Sequence, residues 1–336
     1  SVGGGLQNGL TYMLDGGTHN DPYGNTNLPL PFPDALQEFK VETSALPAQY
    51  GQHSAGAVNA VTKSGTNEFH GDLFEFVRNK VFNARNAFAQ QRDGLKRNQF
   101  GGVIGGPIVR NKLFFFGGHQ VTLQRSEPTE KIAYVPTQQM LTGDFTTIAS
   151  PACNNGRQIA LRAPFVNNRI DPALFSTPAV NMTKRNPSTS DPCGKILFGQ
   201  KSNLNEHVSV GKIDYQWSQK QSVFGRYELA RMDAPNNYDG KTWFSLTEGD
   251  WRRRVHSFVL GDTYSLSPNT VSSFRGTVFR LVNAKSVKND LFTFGDLGVK
   301  GLWYPPNYAK IMIFFVSGAF DTAAGGTGGA QHTPGV

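Results

Sequence analysis

The feature that most constrains this chain is the unequal length of the links between its strand-like segments. From residue 69 onward, seven segments have the length, aromatic content and period-2 alternation of β-strands: 69–77, 98–109, 112–124, 206–217, 221–231, 252–266 and 270–281. Three links are very short: Arg110-Asn111, Ser218-Gln219-Lys220 and Ser267-Pro268-Asn269. The links at 78–97, 125–205 and 232–251, and everything after 281, are long. Short and long links alternate strictly. An antiparallel up-and-down barrel in an outer membrane has this parity, because one rim carries tight turns and the other long loops. A soluble sandwich has no reason to confine every long loop to one end.

Composition agrees with an all-β chain. Among 336 residues there are 37 Gly, 19 Pro and 25 Phe, and 17% are charged. No apolar run reaches the roughly 18 residues of a transmembrane helix. The mean hydropathy of −0.38 resembles that of a soluble protein. A transmembrane barrel gives such an average too, since lipid-facing and lumen-facing residues alternate. Ile213, Tyr215 and Trp217 share one face, as do Val223, Gly225, Tyr227 and Leu229 on the next strand, with Arg226 and Glu228 opposite them. Phe258, Leu260, Tyr264 and Leu266 share a face that also holds Asp262. Alternation alone fits a soluble sheet with one buried face equally well; loop parity favours the membrane. Leu113, Phe114, Phe115 and Phe116 are apolar on both faces, which a filled lumen explains if the inward pair packs on its filling.

The formal charge is +8, with the basic residues scattered and the densest run at Arg252-Arg253-Arg254. No RNA-recognition signature, zinc-finger spacing or basic helix accompanies that run, so no nucleic-acid partner is expected. A charged strand end near lipid headgroups or the lumen is the simpler reading. Cys153 and Cys193 lie in a segment dense in Pro, Asn, Ser and Thr, with no His between them to complete a zinc site. A disulfide closing one long loop fits an oxidising compartment.

The first part of the chain is built differently. Residues 9–17 read as a short buried strand ending in an Asp15-Gly16 turn. Phe39, Val41 and Thr43 alternate with Glu38, Lys40 and Glu42, the pattern of a half-buried strand. A further short strand covers 57–62, and the style changes at Lys63-Ser64-Gly65-Thr66-Asn67.

The run from Val41 through Tyr50-Gly51 and Ser54-Ala55-Gly56-Ala57-Val58-Asn59-Ala60-Val61-Thr62 to Phe69-His70-Gly71-Asp72-Leu73-Phe74 resembles the plug-to-barrel junction of TonB-dependent receptors. The likeness is to the Oar-like branch. Arg97-Asn98-Gln99-Phe100-Gly101-Gly102 with Gly105-Gly106-Pro107-Ile108, and Asn111-Lys112-Leu113-Phe114-Phe115-Phe116, match the same branch. So do Tyr12-Met13-Leu14-Asp15-Gly16, like an earlier plug strand, and Lys212-Ile213-Asp214-Tyr215, like a later barrel strand. The resemblance implies an all-β fold: part of a transmembrane antiparallel up-and-down β-barrel, preceded by the C-terminal part of a plug domain. Residues 1–68 are then the end of the plug, and 69–336 the first seven or eight strands of a barrel of about 22. No TonB box, signal peptide or early plug precedes them here, so the expectation is a piece of a longer transporter that cannot work alone.

The activity implied by the same resemblance is energised uptake of an unidentified substrate across the bacterial outer membrane. The implied partners are the inner-membrane TonB complex (through a segment outside this chain), outer-membrane lipid and an extracellular substrate. The loop at 125–205 is the largest candidate binding surface, ordered by the Cys153–Cys193 bridge and by Phe145, Phe165 and Phe175.

Two rival readings are a surface adhesion or assembly protein using the same barrel without import, and a soluble glycan-binding or hydrolytic domain. The hydrolytic one needs paired carboxylates in a cleft, which the sequence does not show. Catalytic, cofactor and metal sites are not expected. Gly51, His53, Ser54 and Gly56 have the wrong spacing for a nucleophile elbow, and neighbours on an extended chain point apart. Gly101-Gly102 and Gly105-Gly106 lack the helix that a phosphate loop needs.

Overall fold

The computed structural model describes residues 8–43, 46, 55–85, 87, 92, 94–126, 131–199, 201–238, 241–245, 250–286, 293–303 and 331–335. Residues 44–45 and 47–54 of the junction motif, His53 and Ser54 among them, lie outside these, as do 304–330 with the start of the Gly-rich ending.

Two main sheets organise the chain. The smaller is made of β1 (Leu10–Leu14), β2 (Gly17–Thr18), β3 (Leu36–Glu42) and β4 (Gly56–Thr62), in the order β2-β1-β4-β3. β1 and β4 are parallel neighbours, Leu10 opposite Gly56 and Leu14 opposite Ala60. Asp15 and Gly16 both take positive φ, so the chain turns tightly into β2 as the Asp-Gly pair requires. β4 is buried along most of its length, which its run of Ala, Val and Thr permits.

β3 differs from the sequence reading. Phe39 is 56% and Val41 45% exposed, so the apolar face of this strand is not covered. The reason is position: β3 is the edge of its sheet, and among the described residues nothing is layered over it. Lys40 and Glu42 pair at 2.6 Å on its other face.

The larger sheet begins with β5 (His70–Asn79), β6 (Lys96–Val109) and β7 (Leu113–Ser126). The chain then leaves it for an excursion containing β8 (Lys131–Tyr134), α1 (Gln138–Leu141), α2 (Thr177–Thr183) and β9 (Lys195–Phe198). It returns with β10 (Ser202–Ser218), β11 (Gln221–Ala234), β12 (Asp250–Ser267), β13 (Thr270–Ser286) and β14 (Gln331–Gly335). The spatial order is β14-β13-β12-β11-β10-β7-β6-β5, every neighbouring pair antiparallel. All seven strands read from the sequence are present, most of them running further toward the long links. The tight turns fall at 110–112, 219–220 and 268–269, all on one rim. The sheet is an open arc with β5 and β14 as its edges.

Its two faces have opposite chemistry. Outward stand Leu73, Ile104, Ile213, Tyr227, Phe258, Leu260, Phe274 and Val278, all exposed. Inward stand Val103, Phe116, Val210, Arg226, Glu228, Val255 and Val259, all buried. What buries them is the smaller sheet and its loops, lying in the concavity. Phe32 and Ala35 pack with Val103, Phe116 and Val210, and Leu28 packs with Ala230, Val255 and Leu281. Phe116 is therefore the inward aromatic that a filled lumen calls for.

Candidate functional site: the seam between the inner sheet and the wall

The link between the two sheets is held at the rim of tight turns. A Cβ on Gly65 would lie 2.3 Å from the carbonyl oxygen of Phe115 and 2.6 Å from that of Gly106, so only glycine fits there. Two residues on, the Asn67 amide donates to Asn111 Oδ1 at 2.6 Å and its oxygen accepts the Asn111 backbone N–H at 2.7 Å. Asn111 is the positive-φ residue of the first tight turn. The Lys63-to-Asn67 motif is thus the clamp that brings the chain from the inner sheet to the wall.

Deeper in the concavity lies a cluster of buried charge. Asp15, carried by the β1–β2 turn, accepts the backbone N–H of Thr62 at 2.8 Å and its hydroxyl at 2.9 Å. Its other oxygen accepts from Arg226 Nε at 3.2 Å, across the seam. Arg226 Nη1 also donates to Glu228 Oε2 at 3.1 Å and to Ser257 Oγ at 3.2 Å. Lys212 stands 3.9 Å from Asp15 and 3.8 Å from Asp214, and donates to the Thr62 carbonyl at 3.4 Å. Arg226 and Glu228 are fully buried. They sit two apart on β11, hence on the same inward face.

His19, immediately after β2, completes the cluster. Its Nε2 donates to the Pro29 carbonyl at 2.8 Å and lies 3.8 Å from Glu228. Burial holds its pKa down at about 4, so the ring is neutral with its proton on Nε2. Beside it the seam is tight: a Cβ on Gly17 would come 2.2 Å from Thr277 Oγ1 and 3.0 Å from Val259 Cγ2.

Buried charges are expensive unless paired, and a buried pair is seldom more stabilising than an apolar contact of equal volume. What such a seam supplies is registry, because Arg226 reaches Asp15 and Glu228 at once only with the inner sheet in this position. It also parts more readily than an apolar seam, since charges regain hydration when water enters, whereas apolar surface loses about 25 cal/mol per Å² on exposure.

A second region lies beyond the opposite rim. β8 and β9 form a two-stranded sheet in the longest link, and Cys153 and Cys193 are joined with Cα atoms 5.4 Å apart. Phe145 meets Phe165 and Phe175 edge-on at 5.1 and 6.4 Å. Ala133, Val135 and Ile196 share a small core with Phe244 and Leu297, so three separate long links are knit together. Hydrogen bonds from the Thr146 hydroxyl and backbone hold the Asp144 carboxyl well below the usual carboxylate range. Between the inner loop and the wall, an open polar cavity of about 390 Å³ is lined by Thr26, Asn27, Pro29, Gln120, Glu206 and Arg253.

Sequence reasoning places Arg226 and Glu228 on the lumen face but gives Asp15 only a turn role and does not single out His19. Among the described residues no group of three or more His, Cys, Asp or Glu side chains could hold a metal ion. No described helix is long and apolar enough to cross a membrane, which leaves crossing by strands untouched.

Comparison with known proteins agrees with this architecture. The TonB-dependent transporter Oar of Myxococcus xanthus is 32% identical over 130 residues, which are 36% of this chain and 12% of that protein. A variant of the ferric enterobactin receptor PfeA from Pseudomonas aeruginosa superposes on 84% of this chain, using 34% of its own, with a TM-score of 0.50 at 12% identity. The siderophore receptor PiuA from Acinetobacter baumannii aligns over 85% of the chain and 40% of its own, with a TM-score of 0.42 at 10% identity. The chain thus spans a small part of the curated relative and about a third of the PfeA chain. A family model described as an outer membrane beta barrel domain matches residues 61–335. The chain belongs to that family of bacterial outer-membrane β-barrel domains.

Proposed function

We propose that this chain is the plug–wall junction of a transporter that imports a solute across the outer membrane, drawing energy through TonB. In this reading residues 1–68 close the plug and 69–336 open the barrel. The observation that carries it is the buried ionic seam of Asp15, Arg226, Glu228 and Lys212. A permanently filled barrel needs only apolar packing, whereas a plug that seats in one register and must yield is served by paired charge. The names of Oar and PfeA add support, being those of a transporter and a receptor rather than enzymes. The PfeA ligand is not carried over at 12% identity.

Substrate would meet the disulfide-tied loop first and then the cavity between Asn27 and Arg253, where Arg253 Nη2 donates to the Asn27 carbonyl at 3.5 Å. An oxidising periplasm and cell surface would keep the Cys153–Cys193 bond formed. The test is uptake by the full-length protein in its own outer membrane, using radiolabelled iron chelates, oligosaccharides and peptides. Accumulation of one class that collapses on adding an uncoupler or deleting TonB supports the proposal. Accumulation indifferent to both, or none in any class, favours the surface-binding alternative.

A further inference from the structure

Beyond the rim of long links lies a pocket apart from the ionic seam. It is enclosed by residues 187–201 of the longest link and 237–245 of the next one, with a volume of about 540 Å³. A cavity of that size takes a molecule as large as a disaccharide.

Its walls are held in place without a ligand. The Cys153–Cys193 bond anchors one of them, and Asp191 Oδ1 accepts the backbone N–H groups of Cys193 at 2.8 Å and Lys195 at 3.1 Å. Gly194 takes positive φ between these two, and a Cβ on it would lie 2.3 Å from the Val135 carbonyl oxygen. The Thr189 hydroxyl donates to the Lys195 carbonyl at 2.7 Å, and the Asn237 amide to that of Lys201 at 3.2 Å. Phe244, buried in the small core of this region, meets Phe198 edge-on at 4.9 Å. A pocket fixed in this way loses little freedom on binding.

The lining has a definite chemistry. Lys195 and Lys201 bring two ammonium groups, and no described lining residue is a carboxylate. Asp191 is turned to the backbone N–H groups just named. An anion is therefore favoured. Arginine, whose planar fork suits phosphate, is absent from the described lining, whereas ammonium groups act as point charges and serve a carboxylate as well. Ser188 and Ser190 add hydroxyls, and Phe198 adds an aromatic surface. That combination suits a ligand carrying both OH groups and an apolar C–H face.

We propose that this pocket binds a carboxylated sugar, with Lys195 and Lys201 taking its carboxylate, Ser188 and Ser190 its hydroxyls, and Phe198 its C–H face. The proposal rests on the import reading only in making this pocket the first stop of an imported solute. Binding without energised uptake would sink that reading alone. Energised uptake without this binding would sink the proposal alone.

The experiment is calorimetry on the full-length protein in detergent micelles, with digalacturonate, neutral galactobiose and citrate as probes. The expected result is digalacturonate binding at least tenfold tighter than either of the others. That preference should fall at least fivefold in the Lys195→Gln, Lys201→Gln variant and survive in Lys195→Arg, Lys201→Arg. Ser188→Ala with Ser190→Ala should weaken digalacturonate at least threefold and leave citrate unchanged. Digalacturonate, unlike galactobiose, should also slow proteolytic cutting between 187 and 201 at least fivefold. If the Gln variant does not assemble, this protection of the natural protein decides alone. Equal binding of the acidic and neutral sugars, citrate binding as tightly as digalacturonate, a preference unmoved in the Gln variant, or no binding at all would each overturn the proposal.

Discussion

Asp15 and Arg226 are 211 positions apart in the chain, yet the Asp15 carboxylate accepts a hydrogen bond from Arg226 Nε at 3.2 Å. The contact joins the β1–β2 turn of the inner sheet to the inner face of the wall. Arg226→Met would leave Asp15 and Glu228 buried beside no guanidinium, at a cost of about 3–5 kcal/mol to plug seating. Asp15→Asn together with Arg226→Met should cost less than the two singly, with a coupling of about 1–3 kcal/mol. Hydrogen exchange of β1 and β4 in the full-length protein reads this directly. Additive effects would mean that the two residues do not act as a pair.

Gly17 lies where the inner-sheet backbone runs tight against the wall, a Cβ there coming 2.2 Å from Thr277 Oγ1. Gly17→Val places methyl groups against Thr277 and Val259, and overpacking of this kind costs about 1–3 kcal/mol. The expected outcome is faster proteolysis of the plug with an unchanged barrel, measured in detergent. An equal loss of barrel heat resistance would point instead to general misfolding.

The seam should weaken in acid because of His19. Its pKa falls from 6.5 to about 4 on burial. Below pH 6.5 the unfolded plug takes up a proton that the seated plug refuses, so stability is full above that pH. It is lost progressively down to about pH 4, by about 3 kcal/mol at most. His19→Gln keeps a donor for the Pro29 carbonyl and should flatten this slope. A slope that persists in His19→Gln would assign the acid sensitivity to another group.

The bridge between Cys153 and Cys193 closes a loop with a sequence separation of 40, worth about 3–4 kcal/mol in the chain-entropy model. Replacing both cysteines with serine should speed proteolytic cutting of the surface loop in intact cells at least tenfold. Barrel insertion should be unaffected, because the bond lies outside the wall. Cutting at the natural rate would show that the small core around Val135 and Phe244 holds the loop unaided.

The wall is legible in the sequence because each of its rules is local. Period-2 alternation marks Tyr227 and Phe258 as outward and Arg226 and Glu228 as inward, and three tight turns set the parity. The inward Phe116 is legible as well, since an aromatic on both faces demands a filled lumen. The seam is not, because the sequence around Asp15 spells a turn and says nothing about a partner on β11. β3 misleads for a related reason: alternation at Phe39 and Val41 reports a strand, while burial depends on what lies over it. The β8–β9 sheet and β14 also escape, being four and five residues long within long links dense in Pro or Gly.

The most direct test of a plugged outer-membrane barrel is cysteine labelling of the full-length protein in whole cells with a membrane-impermeant maleimide. The account predicts that Ala160→Cys, on the long-loop side, reacts in intact cells. Ser218→Cys, at a tight turn, should react only after the outer membrane is permeabilised, and Ser257→Cys, inward beneath the plug, in neither case. Equal labelling of Ala160→Cys and Ser218→Cys in intact cells, or ready labelling of Ser257→Cys, would contradict it.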